Sequence, residues 1–311
     1  MRNDVVYNLA NRIAAQVLIQ YKDNLRWVTM IPIEKLAAQW GLEQSTNASS
    51  ENVRFSNYSS GSTHGLKNPT KDFEPETKES MTYPLPLQSS LYQMRIFGSG
   101  YGRRFTIAHE LAHVVLHNRM KEEEEELSSR MLEYVCELAA GMILVPDSML
   151  WAAYNKSMNF QNKITFLEDI SRNLEVSLTV LTNRLGDATR SRLIKMDFGV
   201  MMIDLAKSRK TADNLAPRIQ TSCLPSGWFI PRNKRLSSLG AQFLPTLFAI
   251  STPYEENQVR DHLVLWHRSS GTWCELDIIA SYKCYLTNDH MRKMLAVIDS
   301  AMLQEGDSKL L

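Results

Sequence analysis

The segment HELAH at 109–113 contains the residue types from which a hydrolytic metal site can be built. On a helix, residues four apart lie one turn apart on nearly the same face, so His109 and His113 can bind one metal ion. Glu110 lies beside them, where its carboxylate can take a proton from a metal-bound water. The flanking residues predict that helix, because Thr106 can cap it and an apolar stripe follows.

A third ligand is needed, and the sequence offers several. His117 continues the four-residue spacing, but it lies about 12 Å along the helix axis from His109, too far for one ion. The remaining candidates are carboxylates of the next helix or of the segment before it, namely Glu122–Glu126, Glu133 and Glu137. Glu133 is favoured because it lies inside an otherwise apolar helix, where an unpaired carboxylate would be costly and a cation would offset that cost. Glu137 is the weaker alternative.

Four stretches together resemble the ImmA/IrrE-type zinc metallopeptidases of bacteria and their phages. They are RRFTIAHELAHVVLH (103–117), the ExxCE pattern at 133–137, LAAGMILVP (138–146) and IPIEKLAAQWGL (31–42). The resemblance covers about residues 25–190. Where relatives commonly have Ala-Asn after the ligand glutamate, this chain has Cys136-Glu137.

The resemblance implies a role for each matching residue. His109, His113 and Glu133 would bind zinc, and Glu110 would be the catalytic glutamate. Two imidazoles and a carboxylate also suit Mn²⁺ or Fe²⁺. An oxyanion-stabilising donor is still needed, and four upstream residues could supply it: Tyr101, Arg103, Arg104 and His64.

The elements that must position this site predict an α+β protein. We expect a mainly helical, zincin-like metallopeptidase domain with a small sheet at 1–160, including a loop-rich insertion at 43–90. Residues 161–195 are expected to form helix-turn-helix-like helices, with Glu175 where glycine is usual. Residues 196–311 are expected to form an α+β domain, in some relatives a GAF-like sensor, that could take a small-molecule or signal ligand or dock a substrate.

Several secondary-structure predictions can be checked directly. Helices are expected over 4–21, from Pro32 to Gly41, at about 129–144, and near 163–173 and 177–186. In the C-terminal part, FGVMMIDLA, TLFAIST, HLVLWHR and TWCELDIIASYKCYL are expected to be strands, with RSSG as a hairpin turn. A closing helix, MRKMLAVIDSAML, is expected after Asn288 or Asp289.

Composition limits the function classes. The chain has 311 residues with a formal net charge of +1, which argues against binding to nucleic acid by bulk electrostatics. No apolar run approaches the roughly 18 residues of a membrane span, and the start lacks the apolar core of a secretory signal. The 4 cysteines form no CxxC pair, so a reduced, cytoplasmic protein is expected.

The sequence therefore predicts a zinc-dependent endopeptidase that makes a site-specific cut in a protein partner. The resemblance implies that this partner is a helix-turn-helix transcriptional repressor, cut during a stress, phage or mobile-element response. The alternative is a non-proteolytic DNA- or protein-binding regulator with a structural or vestigial metal site. Nucleic-acid binding is not favoured, because the second helix at 177–186 offers mainly apolar residues apart from Asn183 and Arg184.

Overall fold

The structure, a computed structural model, describes ten stretches of the chain. They are residues 2–19, 30–44, 80–84, 92–96, 100–120, 127–157, 162–208, 211–225, 227–286 and 292–299. By their contacts these residues belong to two compact units. The first unit contains Met1–Met149 and Asn173–Ser177, and the second contains Leu150–Arg172 and Leu178–Leu311. The predicted domain bounds at 160 and 195 stay a prediction.

The first unit combines helices with a three-stranded sheet. Its elements are α1 (Arg2–Val17), α2 (Ile33–Gln39), β1 (Leu42–Gln44), β2 (Ser80–Pro84), β3 (Tyr92–Ile96), α3 (Gly100–Arg119) and α4 (Ser129–Leu144). The sheet order is β1-β3-β2, with β3 parallel to β1 and antiparallel to β2. Helix α4 packs against both α1 and α3. This packing brings the two motif-bearing helices, α3 and α4, side by side.

The apolar periodicity explains these helices. On α4 the residues at helical spacing, Leu132, Val135, Ala139 and Ile143, are all buried. Helix α2 begins after Pro32, and the chain leaves it through Gly41, whose φ of 73° favours glycine. The helices predicted for this unit are confirmed.

The second unit is built on a six-stranded antiparallel sheet. Its strands are β4 (Phe198–Ser208), β5 (Thr211–Cys223), β6 (Trp228–Phe229), β7 (Glu256–His267), β8 (Thr272–Leu286) and β9 (Arg292–Asp299), in the order β5-β4-β9-β8-β7-β6. Its helices are α6 (Lys163–Asn173), α7 (Leu178–Arg190) and α8 (Leu244–Ile250), and α5 (Asp147–Ser157) lies mostly in this unit. Helix α7 packs on β5, and α8 contributes Leu244 and Phe248 to the core on the sheet. The α+β class is confirmed.

Two predictions for the C-terminal part are wrong. The expected closing helix is strand β9, which pairs with β4 on one side and β8 on the other. Its apolar run, Met294 to Ile298, is buried on both faces, as a central strand requires, so helical periodicity was not the relevant signal. The expected strand TLFAIST lies largely in helix α8, because Asp261 accepts hydrogen bonds from backbone N–H groups at the start of that helix, including that of Leu244.

Other elements differ from expectation in extent. Helix α3 begins at Gly100, so Thr106 is an interior residue of the helix rather than its cap. Strand β2 lies within the segment expected to be loop, most of which is outside the described residues. Helix α5 and strand β5 were not predicted, whereas the hairpin between β7 and β8 is confirmed. None of the described helices is long and apolar enough to cross a membrane alone. Helix α4 and part of α5 together have the length and composition of a membrane span, but they form a pair bent by 53°.

Candidate metal centre

Helix α3 holds the two histidines against each other. His109 Nε2 and His113 Nε2 lie 3.1 Å apart, and the ring planes meet at 71°. Both side chains are buried, at 5% and 1% exposure, because the neighbouring apolar residues fix the helix in the core. Those neighbours are Ile107, Leu111, Val114 and Val115. One helical turn thus aims two imidazole nitrogens at a common point.

Helix α4 supplies the third group. Glu133 Oε2 lies 3.4 Å from His109 Nε2, and Glu133 Oε1 lies 3.7 Å from His113 Nε2. Two nearby residues of α4, Leu132 and Val135, are buried and fix the rotation of the helix. The structure therefore brings together the two histidines and the acid that the sequence favoured.

The electrostatics of Glu133 favour a charged carboxylate. Burial alone would raise the pKa of Glu133, but hydrogen bonding and electrostatic attraction between its carboxylate and the imidazoles of His109 and His113 outweigh burial, so the pKa lies below its ordinary value. An ionised carboxylate and two imidazole nitrogens are a donor set for a divalent metal ion.

The distances also fit such an ion. In a tetrahedral site with bonds of about 2.0–2.1 Å, ligand atoms lie about 3.3–3.4 Å apart. The two histidine nitrogens lie 3.1 Å apart, and the two carboxylate oxygens of Glu133 lie 3.4 and 3.7 Å from one histidine nitrogen each, all close to that value. Glu133 Oε2 is buried and has no hydrogen-bond partner among the described residues, a condition that a cation would relieve. The donor atoms of His109, His113 and Glu133 therefore fit three ligand positions of a divalent metal ion.

Glu110 is the acidic residue of helix α3, and its side chain is buried. It lies on α3 between the two histidines and is 1% exposed. The general-base role expected of Glu110 from the sequence stays a prediction.

The competing ligand candidates that the structure describes, Glu137 and His117, are not part of this group. Glu137 is exposed, although it follows Glu133 by one turn. His117 is half-buried and lies two turns from His109, and the contacts do not group it with the metal ligands. The run Glu122–Glu126 lies outside the described residues. Cys136 is buried among the apolar residues of α4.

The four candidate oxyanion donors differ in position. Arg104 is buried, and its Nη2 donates to the carbonyl oxygen of Ile31 at 2.7 Å. Its Nη1 lies 3.9 Å from Glu34 and 3.7 Å from Glu175. Arg104 therefore anchors the first turns of α3. The sequence did not reveal this role, because the partners of Arg104 are distant along the chain. Tyr101 and Arg103 are exposed, and His64 lies outside the described residues.

The helix-turn-helix-like segment is tied to neighbouring structure. Glu175, in the turn before α7, adopts a φ of 51°, the left-handed conformation that glycine usually supplies. On α7, Asn183 accepts hydrogen bonds from Thr221 and from Arg232. Arg184, which a DNA-reading helix would expose, is 1% exposed. The polar groups of α7 are thus used in contacts within the second unit.

Comparison with known proteins agrees with this geometry. Residues 99–186 match the peptidase M78 family, described as the IrrE N-terminal-like domain, which confirms the resemblance to the ImmA/IrrE family for that part of the chain. No curated protein matches the chain significantly. Among solved structures, a Mycobacterium tuberculosis transcriptional regulator shares the fold at a TM-score of 0.53 and 13% identity, over 98% of this chain and 83% of that one.

Proposed function

We propose that this protein, whose residues 99–186 match the IrrE N-terminal-like peptidase family, is a zinc-dependent endopeptidase. The observation that carries the proposal is the convergence of His109, His113 and Glu133 beside the buried Glu110. Structural zinc sites close their coordination with four protein ligands, whereas catalytic sites keep one position open. Among the described residues three protein ligands converge, which is the number found in catalytic sites, and Glu110 follows His109 in the chain.

The residues of the chain divide the chemistry among them. His109, His113 and Glu133 would hold the ion. When bound, Zn²⁺ would polarise the scissile carbonyl and lower the pKa of a water ligand. Glu110 would accept the proton of the attacking water and deliver it to the leaving amine, as general base and then general acid. Enclosure of Glu110 and both histidines would restrict access to groups that enter from the side of the partly exposed Glu133.

The resemblance extends the proposal to the substrate. It favours a site-specific cut in a helix-turn-helix transcriptional repressor, so that cleavage would release repressed genes. Support for the peptidase class comes from the family match at 99–186 and from the metal-ligand geometry. The same proposal includes zinc, rather than Mn²⁺ or Fe²⁺, as the bound metal. It also includes the cytoplasm as the location of the protein.

The alternative, a DNA-binding regulator without proteolysis, is less well supported. Its natural reading element would be α7, but Asn183 and Arg184 are used in contacts within the second unit. The Mycobacterium tuberculosis protein of similar fold is a transcriptional regulator, but a likeness at 13% identity concerns the fold and not the activity.

The test compares the purified protein with its Glu110→Gln variant. We expect about one zinc per chain in both, and cleavage of the repressor encoded beside the gene only by the wild type. Loss of the general base should lower the cleavage rate by about 100- to 10,000-fold. A variant at the exposed Glu137, Glu137→Gln, is the matched control and should cut normally. If the wild-type protein neither binds metal nor cuts any repressor of its genome, the proposed endopeptidase activity would be refuted.

A further inference from the structure

Three aromatic side chains lie in a row across the sheet of the second unit. Phe229 of β6 pairs with Trp266 of β7, and Trp266 pairs with Trp273 of β8. Residues paired in an antiparallel sheet share one face. We call these three residues the aromatic strip. The rings of Trp266 and Trp273 meet edge to face, with centroids 5.4 Å apart.

The strip is on the outer face of the sheet. The alternate residues, Trp228 and His267, are buried at 4% and 7% exposure and pack ring to ring on the inner face. Phe229 and Trp273 are 40% and 48% exposed. Outer positions of an antiparallel sheet are normally polar, so three successive aromatic residues there indicate a binding surface.

The same face is covered elsewhere. Further along β8, Lys283 and Tyr285 reach Glu168 of α6 at 2.8 and 2.9 Å, so a helix lies over that end of the strand. At the strip no described element takes the place of α6 over Trp273, which keeps nearly half of its surface open. Among the described residues, the aromatic strip is therefore an apolar part of this face that stays open to another molecule.

Opposite charges lie at the two ends of the strip. The Arg268 guanidinium lies 5.5 Å from the centre of the Phe229 ring. Glu275, two residues after Trp273 on β8, is exposed on the same face. Beyond it, Asp277 pairs with His262 at 2.7 Å. Carboxylates beside the strip would repel a nucleic-acid backbone, whereas a segment carrying an acid at one end and a base at the other would be attracted.

The size of the strip also limits its partner. An aromatic side chain presents about 150–250 Å², so the three partly exposed rings offer at most roughly 300 Å². A stable dimer buries about 800 Å² on each partner. The strip is therefore too small to carry a symmetric dimer by itself, and its area suits a few residues of an extended segment.

From these observations we infer that the aromatic strip binds an extended, proline-containing segment of a partner protein. Such segments are preformed, lose little entropy on binding, and place proline rings against aromatic side chains. The segment would carry an acidic residue facing Arg268 and a basic residue facing Glu275. This inference concerns the second unit alone and does not depend on the proposed peptidase activity.

The test uses two fluorescein-labelled octapeptides with the same apolar centre and opposite charge order, Asp-Pro-Pro-Leu-Pro-Pro-Leu-Arg and Arg-Pro-Pro-Leu-Pro-Pro-Leu-Asp. The full chain carries Glu110→Gln, so that cleavage cannot consume the probe. Fluorescence anisotropy should give a Kd below about 1 mM for at least one peptide, with a preference of about fivefold or more between them. Trp273→Ala should weaken binding about tenfold or more, whereas Tyr254→Ala, at a residue 59% exposed elsewhere in the unit, should not.

A charge swap tests the orientation without depending on the aromatic rings. The double variant Arg268→Glu with Glu275→Lys should bind the disfavoured peptide better, reversing the preference. Absence of binding by both peptides, an unchanged preference in the double variant, or equal affinity in Trp273→Ala would overturn the inference. So would strip-dependent binding of a thymidylate 20-mer, or strip-dependent dimerisation in sedimentation, in place of peptide binding.

Discussion

Glu133 Oε2 on helix α4 lies 3.4 Å from His109 Nε2 on helix α3, so the proposed metal centre is formed by the packing of two helices. The two histidines share one helix and would be neighbours in an isolated peptide. The carboxylate reaches them only when α4 packs against α3. Metal binding should therefore be coupled to the folded state of the first unit.

Substitution of the acid should reveal that coupling. Glu133→Gln keeps the shape of the side chain but removes the negative charge, so we expect zinc affinity to fall by at least about 100-fold. Competition with a chromophoric chelator measures the change. Glu137→Gln, one turn later and exposed, should leave the affinity within about twofold. Equal losses in the two variants would contradict the assignment of Glu133.

The start of helix α8 should depend on Asp261. Its carboxylate accepts hydrogen bonds from the backbone N–H groups of Gln242, Phe243 and Leu244, and it is 4% exposed. Asp261→Ala would leave these donors without their acceptor, so we expect a loss of about 2 kcal/mol in the free energy of unfolding, measured in urea. Asp277→Ala removes an exposed aspartate of the same unit and should cost less than about 1 kcal/mol. A near-neutral Asp261→Ala would show that α8 does not need this cap.

Stability should fall in alkali through Tyr285. Burial, and then the charge of Glu168, raise the pKa of Tyr285 above its ordinary value, and its hydroxyl donates to Glu168 Oε1 at 2.9 Å. A group with a raised folded pKa stabilises fully below its unfolded pKa, about 10, and this stabilisation is lost as the pH rises toward the folded value. Tyr285→Phe should therefore be less stable than the wild type by about 1 kcal/mol at about pH 8, with the gap narrowing above about pH 10.

Urea titrations at several pH values measure this gap, and Tyr254→Phe serves as the control. Tyr254 is exposed, and its hydroxyl lies 3.4 Å from the carbonyl oxygen of Leu286. That variant should show no comparable narrowing. A gap for Tyr285→Phe that is constant with pH would contradict the assignment.

The four cysteines should differ in reactivity. Burial raises the pKa of the Cys223 thiol to about 12, so almost no thiolate is present near neutral pH. Cys274 is only partly buried, whereas Cys136 and Cys284 are buried. In native protein at about pH 8, iodoacetamide should label Cys274 at least about 100-fold faster than Cys223. Mass spectrometry identifies the labelled site, and Cys274→Ser should abolish the fast phase; fast labelling of Cys223 would show that its surroundings open readily.

The sequence by itself determined much of the first unit. Spacing in 109–113 placed two histidines on one helical face, and the apolar pattern of 129–144 predicted the helix that carries Glu133. These are local signals, because residues within one or two turns of a helix fix each other's direction. The same local logic correctly predicted α6 and α7.

Only the tertiary structure decided which carboxylate meets the histidines. Glu133 and Glu137 lie on the same helix, and the packing of α4 on α3 leaves Glu133 partly buried and Glu137 exposed. It also decided the two elements predicted wrongly. Strand β9 is a strand because β4 and β8 pair with both its edges. Helix α8 is a helix because Asp261, 17 residues away from Leu244, accepts hydrogen bonds from its first N–H groups. In each case the deciding partner is distant along the chain. Local propensity contributes less free energy than buried strand pairing or hydrogen bonds to the backbone N–H groups of a helix, so these contacts determine the structure.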